Sequence, residues 1–115
     1  MSGRPVAEVL ELPVRLHGIQ LARPLDALVQ LEGDRLVGFE VLCGDGKHRF
    51  LPFAVARIEH DQIALESALT LIDHGDADYY RRRTRRVAEL GFGEPAVDER
   101  GVVSDLSART VHANR

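Results

Sequence analysis

Between residues 12 and 72, apolar positions come in short runs separated by turn signals at close spacing, the pattern of a small all-β barrel or sandwich. Residues 12–21 carry Val14, Leu16 and Ile19, with Gly18 interrupting. Over residues 27–31 the chain alternates, Ala27, Val29 and Leu31 falling on one face and Leu28 and Gln30 on the other. Glu32-Gly33-Asp34-Arg35 then reads as a hairpin turn. Residues 36–42 are apolar on both faces except at Glu40, as expected of a central strand or one that closes a small barrel. Cys43-Gly44-Asp45-Gly46-Lys47 joins this run to residues 49–56. An Asp-Gly pair between two apolar runs predicts a hairpin, because glycine supplies the positive φ such turns need. Pro52 cannot donate to a ladder and so marks an edge or a bulge. A further hairpin is expected over residues 57–65, with Glu59-His60-Asp61-Gln62 as its turn, and a last short strand over residues 67–72.

The pattern changes at Asp73. Aspartates at 73, 76 and 78, arginines further on and Gly91 beyond them match the start and stop signals of a helix. Tyr80, Thr84, Val87 and Leu90 give that helix a thin apolar stripe. After Gly93 the pattern is strand-like again: Ala96-Val97, a turn at Asp98-Glu99-Arg100-Gly101, then Val102-Val103. The chain thus divides into a β domain over residues 1–75, an arginine-rich helical connector over 76–92 and a short β tail over 93–115.

A chain of 115 residues can bury enough surface to fold without a metal or a disulfide, and its single cysteine excludes an internal disulfide. No apolar run approaches the ~20 residues that span a bilayer, and residues 1–5 show no secretory signal. A cytoplasmic protein is the expectation. A formal charge of −3, with tryptophan absent, argues against a nucleic-acid binder that stacks bases. The charge is uneven, however. Residues 79–90 hold five arginines against one glutamate, +4, which leaves −7 on the remainder.

Cys43 lacks the helix N-terminus that commonly activates a thiol, and His48 and Lys47 fall across or beyond the turn from it. A strand-end thiol near the rim is expected. Gly44-Asp45-Gly46-Lys47 opens a strand rather than a helix, which favours a hairpin over a phosphate loop. Asp73, His74, Asp76 and Asp78 are the densest ligand-type cluster. They lack the calcium-loop spacing, and a helix N-terminus accounts for them. His17, His48, His60 and His112 share no spacing and read as surface or turn residues. No metal or cofactor is expected, and no set of acid, base and nucleophile suggests an enzyme. Arg81, Arg82, Arg83, Arg85 and Arg86 are the candidate binding residues, for an anionic or a protein partner. The plainer reading is a solvated helix face paired with Asp73, Asp76 and Asp78.

The run Asp34-Arg35-Leu36-Val37-Gly38-Phe39-Glu40-Val41, the glycine turn, and Arg49-Phe50-Leu51-Pro52-Phe53-Ala54-Val55-Ala56 together resemble the PRC-barrel domain. Asp61-Gln62-Ile63-Ala64-Leu65 is similar to a later strand of that family, so the resemblance covers residues 12–72. Gly38, Asp45, Gly46 and Pro52 are its fold-defining residues. Arg23-Pro24-Leu25 departs from it, standing where the family has a glycine turn. Residues 93–106 resemble the start of a second such module, whose exposed strand edges would need a second copy of the chain to cover them. The resemblance implies a small barrel, a non-catalytic interaction or assembly role, and a homodimer. The family also includes the C-terminal half of a ribosome maturation factor, so the alternative is an RNA-linked accessory protein using the arginine-rich helix.

Overall fold

The computed structural model describes residues 4–31, 33–73, 82–87 and 95–104. Their secondary structure is mostly β. The strands are β1 (Arg4–Pro5), β2 (Val14–Leu16), β3 (Ile19–Gln30), β4 (Leu36–Cys43), β5 (His48–Pro52), β6 (Arg57–Ile58), β7 (Ile63–Leu65), β8 (Ile72–Asp73), β9 (Thr84–Arg86), β10 (Ala96–Val97) and β11 (Val103–Ser104). A single helical turn, α1 (Val6–Val9), follows β1. The large sheet has the order β6-β7-β2-β3-β4-β5-β8, with β9 joined to β3, and a small sheet has the order β1-β10-β11. Among the described residues the outer strands β6 and β8 do not pair, so the large sheet does not close into the expected barrel.

The turns set the register. His17 and Gly18 both have positive φ, 50° and 84°, the backbone of a two-residue hairpin between β2 and β3. At the β4–β5 turn, Gly46 N–H donates to Cys43 O and Cys43 N–H to Lys47 O, both at 2.9 Å, with Gly46 at φ 84°. Asp98-Glu99-Arg100-Gly101 repeats this design with Gly101 at φ 85°. The turns expected at residues 32–35 and 59–62 also join antiparallel strands.

The runs read separately over residues 12–21 and 27–31 are joined through Pro24 in one twelve-residue strand, β3. Proline withholds a donor, and the register of β3 against β4 shifts between Pro24 and Asp26. The shift lets β3 take β2 as a neighbour at its start and β9 at its end. Over residues 67–72 the expected strand shortens to β8, because Ser67 caps a tight helical turn at Ala68–Thr70 by accepting the Leu69 N–H.

The largest departure concerns the expected helix. Residues 82 and 83 form a turn and 84–86 are β9; residues 74–81 and 88–94 lie outside the described set. Helix propensity is a weak preference, and here Thr84 and Val87 are both buried against the sheet while Arg85 bonds backbone carbonyls of the β3–β4 turn.

Val14, Ala27, Val29, Phe39, Val41, Leu51 and Ile63 form the centre of the core, and Val6, Val9, Val97 and Val103 belong to the same cluster. The tail hairpin is therefore part of the main body. One of its edges takes β1. On the other, Val103 N–H reaches Asp34 O and Leu36 N–H reaches Gly101 O, both at 2.7 Å. The edges expected to need a second copy are covered within the chain.

Candidate binding site on the arginine segment

The opposite face of the sheet carries a small apolar patch, Leu28 and Phe50 with Val37 and Ile72 against them. Its shape depends on Gly38, which pairs with Pro52 across the β4–β5 ladder. A β-carbon on Gly38 would lie 2.6 Å from Phe50 Cζ and 2.3 Å from Leu51 O. The glycine and proline that carry the family resemblance are thus cross-strand partners, and the glycine leaves room for the Phe50 ring.

Beside this patch lies a charged group whose members the sequence did not bring together. Asp26 and Glu40 are cross-strand partners on β3 and β4, with side chains only 6% and 13% exposed. Two carboxylates opposite each other repel. Arg86 on β9 compensates, its Nη1 pairing with Glu40 Oε1 and lying 3.9 Å from Asp26 Oδ2. Asp26 Oδ1 also accepts the Ala27 N–H at 2.8 Å. From β5, His48 Nδ1 donates to Glu40 Oε2 at 3.0 Å. Burial pushes the Glu40 carboxyl up, but the hydrogen bond from His48 and the pairing with Arg86 outweigh it and hold the carboxyl below its ordinary value. This group fastens β9 onto β3 and β4.

Arg85 has a different structural task. Its Nε donates to Gln30 O at 3.1 Å and its Nη2 to Gly33 O at 3.0 Å, wrapping the β3–β4 turn. Arg82 and Arg83 are exposed in the turn before β9, and Arg83 O accepts the Leu31 N–H at 3.2 Å. Arg81 lies outside the described residues. Of the predicted cluster's described arginines, Arg85 and Arg86 are half-buried and bond to the sheet and its turn, while Arg82 and Arg83 lie in the more exposed turn before β9.

The fold adds two arginines from distant sequence. Arg35 Nη1 donates to Arg100 O at 3.1 Å, and Arg35 and Val102 form a β-bridge. Backbone hydrogen bonds thus bring three turns together at one end of β4, where Arg35, Arg82, Arg83 and Arg100 are exposed, Leu31 is 49% exposed, and Arg100 Nη2 lies 3.7 Å from Asp98 Oδ2. Sequence could hint at the buried group through the lone acids in apolar strands, Asp26 and Glu40. Nothing in the spacing of Arg35 and Arg100 reveals that they meet.

At the other end of β4, Arg49 donates two hydrogen bonds to Asp45, at 3.1 and 3.0 Å, and one to Asp73 at 2.9 Å. The Arg49 guanidinium and the Lys47 N–H together lower the Asp45 carboxyl to about 2. Asp45 thus shapes its turn through the Lys47 N–H and braces β5 through Arg49. Cys43 is buried and lines an open groove of about 750 Å³ with Leu21, Leu69, Leu71 and Arg49. Of the predicted acidic cluster, Asp73 pairs with Arg49; His74, Asp76 and Asp78 lie outside the described residues. Among the described residues, no group of three His, Cys, Asp or Glu side chains is placed to hold a metal ion, and no helix is long and apolar enough to cross a membrane.

Comparison of the chain with protein-family models, with curated proteins and with solved structures finds no match to any of them.

Proposed function

We propose that this protein is a non-catalytic interaction and assembly module of the PRC-barrel type that associates with itself. The observation that carries the reading is the end of the sheet where three turns held together by backbone hydrogen bonds expose arginines and a leucine. Charged groups elsewhere on the sheet are engaged in holding it together: Glu40 with Arg86 and His48, and Arg49 with Asp45 and Asp73. The resemblance through Gly38 and Pro52 supports the same class, since both residues serve the packing of one hairpin.

Because β1 and the Asp34–Leu36 backbone cover the tail hairpin, self-association does not require strand exchange through that hairpin. Light scattering coupled to size exclusion over a range of micromolar concentrations tests the reading. A mass that rises towards twice that of the chain supports it, and a constant monomer mass removes self-association. The RNA-linked alternative draws on the same arginines. Its signature is binding to structured RNA that weakens steeply with salt.

A further inference from the structure

The end of β4 away from the arginines carries a surface of a different kind. We infer that two copies of the chain associate there across a two-fold axis, each placing its Leu69 in the groove of the other. The inference rests on the self-association reading and names the surface that brings the copies together.

Among the described residues Leu69 is the most exposed large apolar side chain, at 93% against 49% for Leu31. Its backbone is held in place by the tight turn that carries it. Ser67 Oγ accepts the Leu69 N–H at 3.1 Å, Thr70 Oγ1 donates to Ser67 O at 2.8 Å, and the Leu71 N–H donates to Ala68 O at 3.2 Å. A leucine presented on so constrained a turn loses little ordering entropy when a partner covers it, and covering it removes a whole apolar side chain from water. The same turn forms one wall of the open groove of about 750 Å³. The rest of the apolar lining is Leu21 from β3, Cys43 from the end of β4, Leu71, and Ile72 from β8.

The polar groups of the lining are bonded to the protein itself. Gln20 Nε2 donates to Ala22 O at 3.4 Å, and Arg49 donates to both Asp45 and Asp73. A polar small molecule would have to compete with these bonds to be oriented, whereas an apolar side chain leaves them intact. A second copy of the chain supplies that side chain. One patch holds both a projecting leucine and an apolar recess, the self-complementarity that a two-fold contact requires. At its rim each copy brings a cation and a carboxylate, Arg49 beside Asp73, so the contact does not set like charge alone against like charge.

The test is sedimentation equilibrium over micromolar concentrations on the native chain, Leu69→Glu, Leu69→Ala and Leu31→Glu. The proposal expects a native dimer that Leu69→Glu weakens about tenfold or more and Leu69→Ala several-fold. Leu31→Glu adds the same charge at the arginine end and should leave the dissociation constant within about threefold. Circular dichroism shows that each variant keeps its fold, and Leu69→Ser replaces Leu69→Glu if that variant misfolds, with the same expected direction. A native dimer indifferent to Leu69→Glu overturns this inference and leaves self-association standing. An equal loss in Leu31→Glu also overturns it, because the contact then lies at the arginine end. A native chain that stays monomeric throughout removes the self-association reading and this inference with it.

Discussion

Gly38 faces Pro52 across the β4–β5 ladder under the Phe50 ring, so a single methyl group there has nowhere to go. Backbone cannot yield as a long side chain can, and the nearest atom to an added β-carbon is Leu51 O at 2.3 Å. Gly38→Ala should lower stability by about 1–3 kcal/mol, measured by urea unfolding, the range for overpacking a filled site. Arg86 poses the opposite case, a residue whose removal leaves charges stranded. Losing a buried pair's partner costs about 3–5 kcal/mol, but Arg86 is 39% exposed, and water moderates the loss. Arg86→Met should therefore destabilise by about 2 kcal/mol, and adding Glu40→Gln should restore part of it. The Glu40 carboxyl titrates lower in the folded chain than in the unfolded one. Its contribution to stability is complete above the ordinary value of 4.5 and is lost as pH falls through the folded value. Urea midpoints measured between about pH 6 and pH 3 should fall less steeply in Glu40→Gln than in the native protein. Glu40 and Asp26 stand out in the sequence as acids within apolar strands. That they face each other, and that an arginine some fifty residues away answers them, comes only from the folded register.

At the scale of elements, hairpins were the most legible part of the chain. Asp-Gly and Arg-Gly turns are written in local chemistry, since a positive φ at one position favours glycine whatever the rest of the molecule does. The β4–β5 and β10–β11 turns share one backbone design, yet their glycines meet different surroundings. A β-carbon on Gly46 would meet nothing within 4 Å, whereas one on Gly101 would lie 2.8 Å from the Phe53 ring. Gly46→Ala should cost about 1 kcal/mol from backbone strain alone, and Gly101→Ala clearly more, by thermal unfolding of the two variants side by side. The β9 segment was the least legible. Its acids, arginines and closing glycine satisfy every local helix signal, but a strand here buries Thr84 and Val87 and places Arg86 over two carboxylates. Tertiary contacts outweigh propensities worth a few tenths of a kcal/mol per residue. The continuity of β3 through Pro24 was equally hidden, because a proline is tolerated inside a strand at a register shift that only the folded pairing defines.

For the molecule as a whole, the expected partial second module turns out to share the main core. Val6 and Val9 from α1 and Val97 and Val103 from the tail are each at most 4% exposed within one cluster. Arg4 links the two sheets further, its Nη1 donating to Glu59 O at 2.7 Å. Val9→Asp would place a charge in that shared core. It should loosen both sheets together, seen as one unfolding transition shifted to lower temperature rather than the loss of the tail alone.

The pairing of β1 with β10 also has a kinetic side. Arg4 lies opposite Val97, so the first and the last described strands must find each other across nearly the whole chain. Such a contact raises the contact order and closes late. Val6 and Val9 share their core cluster with Val97 and Val103, so that part of the core is complete only once residues 95–104 have left the ribosome. A chain still lacking those residues leaves its apolar amino-terminal end less covered, and that is where chaperone contact or misassembly would act.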